Sequence, residues 1–275
     1  KKKMTDSPTI ILVNDCDHMS MDRAKSVFSC FNNYNIPFTN AIFNELETYD
    51  EYPKKQKSLA KHCRPIETCS IVDKDGEEYI DLLKRQIYLG NEIAYHGNSQ
   101  ISNSRNDFLK GIENINNSLG IKMATYIEHG GNPKSHPVEG CKKETLAMLG
   151  SKEDSDYYVF DLISENFKQA WCYFDLIDLN KQDDFNKNYI FKKNEKITLF
   201  KRARAFDIPR VLKFLNKEDD VCVFYTHFGY DGYPNGTLME SWSNQRDVEK
   251  NCIFLKKLQE KGFRITTIEQ YLKER

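Results

Sequence analysis

Residues 9–43 read TIILVNDCDHMSMDRAKSVFSCFNNYNIPFTNAIF, and three segments within them point to the architecture. Thr9–Asp15 is a short apolar, β-branched run of the length of one buried strand. Met21–Tyr34 carries Ala24, Val27, Phe28 and Phe31 at helical spacing. Ile36–Phe43 returns to strand character. Strand, helix and strand in that order form a βαβ unit, whose crossover makes the two strands parallel.

The same alternation continues along the chain. Glu78–Leu89 reads as a helix and Glu92–His96 as a strand. Asn103–Leu119 is an amphipathic helix stopped by Gly120, and Ile121–Glu128 is the next strand. Lys142–Leu149 is a short helix, and Trp171–Ile177 and Ile197–Arg204 are strand-like. Ile208–Leu215 is a helix, Val221–Thr226 a fully apolar buried strand, and Arg246–Lys261 a strong helix. Phe263–Thr267 and Ile268–Lys273 close the chain as strand and helix. The pattern predicts an α/β protein with a mainly parallel sheet, open or closed. No repeat or glycine-serine linker divides it, so we expect one domain over residues 1–275, with loop insertions near 54–75 and 180–196.

Composition narrows the classes. Among 275 residues, 40 Lys+Arg face 41 Asp+Glu, a formal charge of -1, which argues against a nucleic-acid coat or a polybasic membrane binder. The 39% hydrophobic content is that of a folded rather than a disordered chain. Runs such as Ile10–Val13 and Val221–Tyr225 are too short to span a bilayer. Eight cysteines without a Cys-x-x-Cys pair are the usage of a reducing compartment, so the expectation is cytoplasmic. His62-Cys63 with Cys69 lacks zinc-knuckle spacing and a fourth ligand.

Reactive groups in α/β folds gather at the carboxyl ends of the strands. Four such ends carry polar chemistry: Asn14-Asp15-Cys16-Asp17-His18, His96-Gly97-Asn98-Ser99-Gln100, Glu128-His129-Gly130-Gly131, and Thr226-His227. Asp15 and Asp17 are two apart, so on an extended strand end they share a face. Two carboxylates on one face repel unless a cation or proton lies between them. Imidazoles and carboxylates suit a borderline metal, and the remaining carboxylate and histidine then suit base and acid work. The plainer readings are that Asp15 and Asp17 cap a turn and helix, and that the histidines are hydrogen-bonded rim residues. Lys201-Arg202-Ala203-Arg204 reads as a grip for a phosphate or sugar carboxylate or, more plainly, as a strand with alternating solvated basic residues, with Arg204 the candidate to face the pocket. Trp171 and Trp242 read as packing aromatics or sugar-stacking surfaces.

These residues resemble the NodB-homology polysaccharide deacetylases, carbohydrate esterase family four. Asp15-Cys16-Asp17 looks like that family's first motif, and Glu92-Ile93-Ala94-Tyr95-His96-Gly97-Asn98-Ser99-Gln100 follows its second, His-(x)3-His, until the last position. Tyr225-Thr226-His227 matches the strand that ends in a catalytic histidine, and residues 263–272 are similar to the closing strand and helix. The resemblance implies a distorted parallel (β/α) barrel of about seven strands. It implies a metal-dependent deacetylase for an N-acetyl group on a saccharide or saccharide precursor, with a divalent metal, zinc, as cofactor. Asp15 is then the base, His227 the acid, and Asp17 and His96 are metal ligands.

Two departures stand out. Gln100 replaces the second metal histidine, and an amide oxygen is a weaker zinc ligand. The family's Arg-x-Pro-Tyr segment is replaced by Glu128-His129-Gly130-Gly131. We expect His129, or alternatively Gln100, to complete the metal site. We also expect Gln100, Glu128, Gly130, Gly131 and Arg204 to line the substrate groove, the two glycines through backbone N–H groups facing an oxyanion. The alternatives are a carbohydrate-binding relative with a decayed metal site and a hydrolase of a non-sugar amide. A serine hydrolase, suggested by His129-Gly130-Gly131, is excluded by the lack of a Gly-x-Ser-x-Gly elbow.

Overall fold

A computed structural model describes residues 8–17, 19–45, 69–73, 75–99, 105–129, 159–172, 176–177, 192–193, 197–200, 202–204, 221–229 and 245–274. Its centre is β1 (Thr9–Asp15), buried at all seven positions, as expected of a strand flanked on both edges and covered on both faces. On one edge β1 pairs in parallel with β10 (Val221–Thr226), from Thr9↔Val221 to Asn14↔Thr226. Its other edge is shared: Thr9–Ile11 pair with β11 (Arg264–Thr266), and Val13–Asp15 pair with β2 (Thr39–Phe43). From β2 the sheet runs through β3 (Glu92–Gly97) and β4 (Thr125–Ile127) to β5 (Gln169–Trp171), all parallel. The short strands β6 (Leu176–Ile177), β7 (Lys192–Lys193), β8 (Thr198–Leu199) and β9 (Arg202–Arg204) complete it.

The hydrogen-bonding order is β6-β9-β10-β1-β2-β3-β4-β5-β8-β7. In it β8 and β9 stand near opposite ends, one paired with β5 and the other with β10. Leu199 and Arg202 are nevertheless three residues apart, so the chain can separate them by no more than about 11 Å. The sheet must therefore curl, and its seven central parallel strands form a curved half-barrel, the distorted (β/α) barrel expected.

The helices cover the outside. They are α1 (Met21–Asn33), α2 (Gly76–Tyr88), α3 (Arg105–Leu119), α4 (Phe160–Asn166), α5 (Gln245–Glu260) and α6 (Ile268–Lys273). Ser20 caps α1 by accepting from Arg23 N–H, and Thr267 caps α6 by accepting from Gln270 N–H. The helical stripe of α1 delivers Phe28 and Phe31 onto Phe38, with ring centroids 5.6 and 4.8 Å apart. All three rings are fully buried, which is worth about 2–3 kcal/mol for each side chain. At the amino-terminal end of the strands, buried Glu92 accepts from Thr39 Oγ1 (2.7 Å), Thr125 Oγ1 and Glu269 N–H (3.0 Å), tying β2, β3, β4 and α6 together.

Differences from the sequence reading have local causes. β2 starts at Thr39 rather than Ile36, because Pro37 has no N–H to give and Phe38 N–H bonds to Asn91 Oδ1 instead. α4 was not anticipated: it spans seven residues and its N-cap, Val159, offers no side-chain bond. Lys192–Lys193 lie within the stretch 180–196 expected to be loop, and pair antiparallel with β8. Of the stretch 54–75, Cys69, Ser70 and Ile71 are buried; residues 54–68, and the helices expected at 142–149 and 208–215, lie outside the described residues. Among the described residues no helix is long and apolar enough to cross a membrane.

Candidate functional site

The carboxyl ends of β1, β3, β4 and β10 meet on one side of the curl. At the end of β1 the period-two alternation turns Asp15 and Asp17 one way and Cys16 the other. Cys16 is fully buried, its Sγ donating to Asn40 Oδ1 at 3.0 Å. Burial pushes its thiol well above the ordinary range, with nearby Cys69, Asp17 and Asp15 adding to the effect. It is a packing residue beneath the two carboxylates, which are themselves 2% and 4% exposed.

His96 arrives through an irregularity. The β2–β3 register steps from Ile42↔Tyr95 to Phe43↔Gly97, leaving His96 as the extra residue. A bulge of this kind re-aims a side chain. The His96 Nδ1–H donates to Ile127 O at 2.7 Å, which fixes the tautomer and leaves Nε2 facing Asp17 Oδ2 at 3.2 Å. His129, two residues beyond β4, places Nε2 2.7 Å from Asp17 Oδ1. His227, immediately after β10, places Nε2 3.4 Å from Asp17 Oδ2 and 3.8 Å from Asp15 Oδ2. Phe43, ending β2, packs against both His96 (4.8 Å) and His129 (5.2 Å) and walls them in.

Three imidazoles therefore surround one buried carboxylate. Burial alone would push the Asp17 carboxyl up, but the imidazoles of His129, His96 and His227 around it hold it well below the usual range. A neutral His96 with its proton committed to Ile127 would turn a lone pair toward the Asp17 oxygen. A proton or a cation between them resolves that opposition. Asp17, His96 and His129 form one group whose ligand atoms lie within 4.8 Å of one another, and Asp15, Asp17 and His227 form another. Two imidazoles and a carboxylate make the donor set of an open zinc site, and the Nδ1–H to Ile127 O is the outer contact that orients a ligating histidine. The residues present fit a divalent ion of this kind.

Asp15 is held differently. Arg202, on β9, donates Nη1–H to Asp15 Oδ1 at 2.7 Å and Nη2–H to Oδ2 at 2.8 Å, a two-pronged pair with both partners 2% exposed. The guanidinium lies between Trp171, 3.7 Å from its ring centroid, and Tyr225, 4.0 Å away. It thus joins β5, β9 and β10 beneath the site. The sequence reading missed Arg202. Nothing in the local pattern separates Arg202 from Arg204, two residues on in the same strand.

The loop after His227 is also fixed. Phe228 N–H donates to Asn14 Oδ1 at 3.1 Å, and Phe228 O accepts from Arg23 Nε at 2.7 Å. Gly229 follows, and a Cβ there would fall 2.6 Å from Met19 N and against Asp17 O. Only glycine lets this loop lie on the backbone that carries Asp17.

The structure thus brings together Asp15, Asp17, His96, His129 and His227. Glu128 is fully buried, with its N–H on Trp171 O at 3.0 Å. Gln100, Gly130 and Gly131 lie outside the described residues, as does the side chain of Arg204, whose backbone pairs with Tyr225.

No protein-family model matches the chain, and no curated protein matches it in sequence. Solved structures do. A protein from Mycobacterium smegmatis assigned as a polysaccharide deacetylase aligns at TM-score 0.52 and 10% identity, over 98% of this chain and 90% of that one. A Bacillus cereus polysaccharide deacetylase aligns at TM-score 0.47 and 14% identity, over 94% and 91%. A family 4 acetyl xylan esterase from Clostridium thermocellum, in complex with a cobalt ion, aligns at 0.46 and 12%, over 95% and 89%. At 10% identity, what the first of these shares with the chain is the fold.

Proposed function

We infer that this chain, folded as the polysaccharide deacetylases are, is a metal-dependent deacetylase that hydrolyses an N-acetyl group on a saccharide or saccharide precursor. The observation that carries the reading is the convergence of Asp15, Asp17, His96, His129 and His227 from four parallel strand ends onto one buried cluster. Asp17, His96 and His129 are the ligands for a divalent ion, and their nitrogen and oxygen donors favour zinc. Bound there, the ion supplies Lewis-acid polarisation of the acetamide carbonyl and makes a water more acidic.

The chain's own residues supply the rest. Asp15 takes the proton of the attacking water. Each carboxylate oxygen has two lone pairs, so Oδ2 can accept that proton while still bonded to Arg202. Arg202 keeps the carboxylate from rotating away. His227, with Nε2 3.8 Å from Asp15 Oδ2, gives a proton to the amine as the C–N bond breaks, and acetate is the second product.

One observation favours a second reading. Both oxygens of Asp15 are already occupied by a guanidinium, an arrangement that also suits a carbohydrate-binding relative without turnover. Acetate release from acetamidosugars, set beside linear and cyclic amides in the presence of zinc, separates the readings. Release from a saccharide that falls about 100-fold or more in Asp15→Asn supports the deacetylase. Saccharide binding without acetate supports the binding relative, and release only from non-sugar amides moves the substrate class.

A further inference from the structure

Away from the strand ends, α1 packs against α5, and at their contact the thiols of Cys30 and Cys252 are hydrogen-bonded with Sγ atoms 3.7 Å apart. One turn further along α1, Tyr34 Oη donates to Glu249 Oε1 at 3.3 Å, one turn back along α5. Two contacts, running in opposite senses on the two helices, fix which faces meet. Cys30 retains 5% of its surface and Cys252 none, so a small oxidant meets Cys30 first.

We propose that Cys30 and Cys252 are a site of reversible oxidation, closing to an intramolecular disulfide that staples α1 to α5. A disulfide needs the sulfurs at about 2.05 Å, and χ1 rotation with a slight approach of the helices covers the difference. The thiols differ in the way the chemistry requires. The hydrogen bond with Cys252 lowers Cys30 from its ordinary value and raises Cys252, whereas burial pushes Cys69 up to about 12. The thiolate is the nucleophile in such steps.

The oxidant is hydrogen peroxide. Cys30 sulfur attacks one peroxide oxygen, the O–O bond breaks, and a first water leaves, giving the sulfenic acid. Cys252 sulfur then attacks the Cys30 sulfur, the S–O bond breaks, and the departing hydroxide takes the Cys252 proton as a second water. Two thiols lose two electrons, and one peroxide gains them. The cross-link closes a loop across a separation of 222 residues and restricts the unfolded chain accordingly. It involves none of the residues in the strand-end cluster, so it stands or falls independently of the deacetylase reading.

The test uses the full chain, reduced and then exposed to stoichiometric hydrogen peroxide. Free thiols are blocked by alkylation, and peptides are mapped by mass spectrometry with a parallel thermal melt. The expected result is a Cys30–Cys252 linked peptide, about 2 Da below the sum of the two thiols, and a Tm about 5–15 °C higher than in the reduced protein. Cys252→Ser should lose the rise and accumulate a dimedone-reactive Cys30. If that variant fails to fold, the wild-type peptide map decides alone. Cys30 and Cys252 both alkylated after oxidation, or cross-linked only to other cysteines, would overturn the proposal.

Discussion

Replacing Arg202 by methionine tests how the site is held together. Methionine keeps an apolar stem of similar length between Trp171 and Tyr225 but removes the guanidinium. Asp15 is then a carboxylate at 2% exposure with its two-pronged partner gone. Breaking a buried pair from one side costs about 3–5 kcal/mol, because the remaining charge is left uncompensated. The lost stacking on two rings, at 3.7 and 4.0 Å, is worth about 2 kcal/mol in a desolvated setting. The contributions overlap, since one side chain makes both, so Arg202→Met should lose about 4 kcal/mol in urea unfolding with an unchanged m-value. Arg202→Lys retains a charge without the fork and should lose about half as much. The decisive comparison is Arg202→Met in an Asp15→Asn background, where no charge is left stranded. The double variant should be more stable than the sum of the singles predicts by about 2 kcal/mol. An Arg202→Met loss below about 0.5 kcal/mol, or strict additivity of the pair, would show that the ion pair does not hold the site.

Three further outcomes follow from the same contacts. Burial raises the Glu92 carboxyl above its ordinary value, with Thr125, the Glu269 N–H and Thr39 opposing the rise. An acid with a raised folded value binds protons more tightly when folded, so its contribution is present below the unfolded value and lost as pH rises through the folded one. Glu92→Gln should therefore gain Tm relative to wild type on going from pH 4 to pH 7, and parallel Tm profiles would refute this. Gly229→Ala sets a methyl 2.6 Å from Met19 N and 2.8 Å from Met19 Cα, backbone atoms that cannot rotate aside. It should lose about 1–3 kcal/mol in urea unfolding and weaken zinc binding at Asp17, whereas wild-type values for both would show that the loop has room. His227→Ala should lower kcat on an acetamidosugar about 100-fold or more while leaving metal stoichiometry intact, and loss of the metal would make His227 a ligand instead.

Much of this arrangement could be read from the chain because the strands that matter are short, apolar and end in polar residues. Thr9–Asp15 and Val221–Thr226 have the bounds expected of them, since burial on both faces demands an unbroken apolar run and Asp15 or His227 ends it. Arg202 was illegible for a different reason. It and Arg204 lie two apart and share a face in an extended strand, so pattern alone cannot say which one reaches a buried carboxylate. That depends on register. Arg204 pairs with Tyr225, which is itself level with Val13, and it is Arg202, two residues earlier, whose guanidinium meets Asp15. The aim of His96 was hidden likewise, because the bulge that turns it is a property of two strands at once. α4 lacked both length and a capping side chain, the two local signals a helix can give.

The central claim is that Asp17, His96 and His129 hold a divalent ion, and calorimetric titration of the metal-stripped chain with zinc tests it most directly. The account predicts one zinc per chain, with affinity falling about 100-fold or more in Asp17→Asn and in His129→Ala, both variants remaining folded. No stoichiometric binding, or binding that neither substitution disturbs, would contradict it.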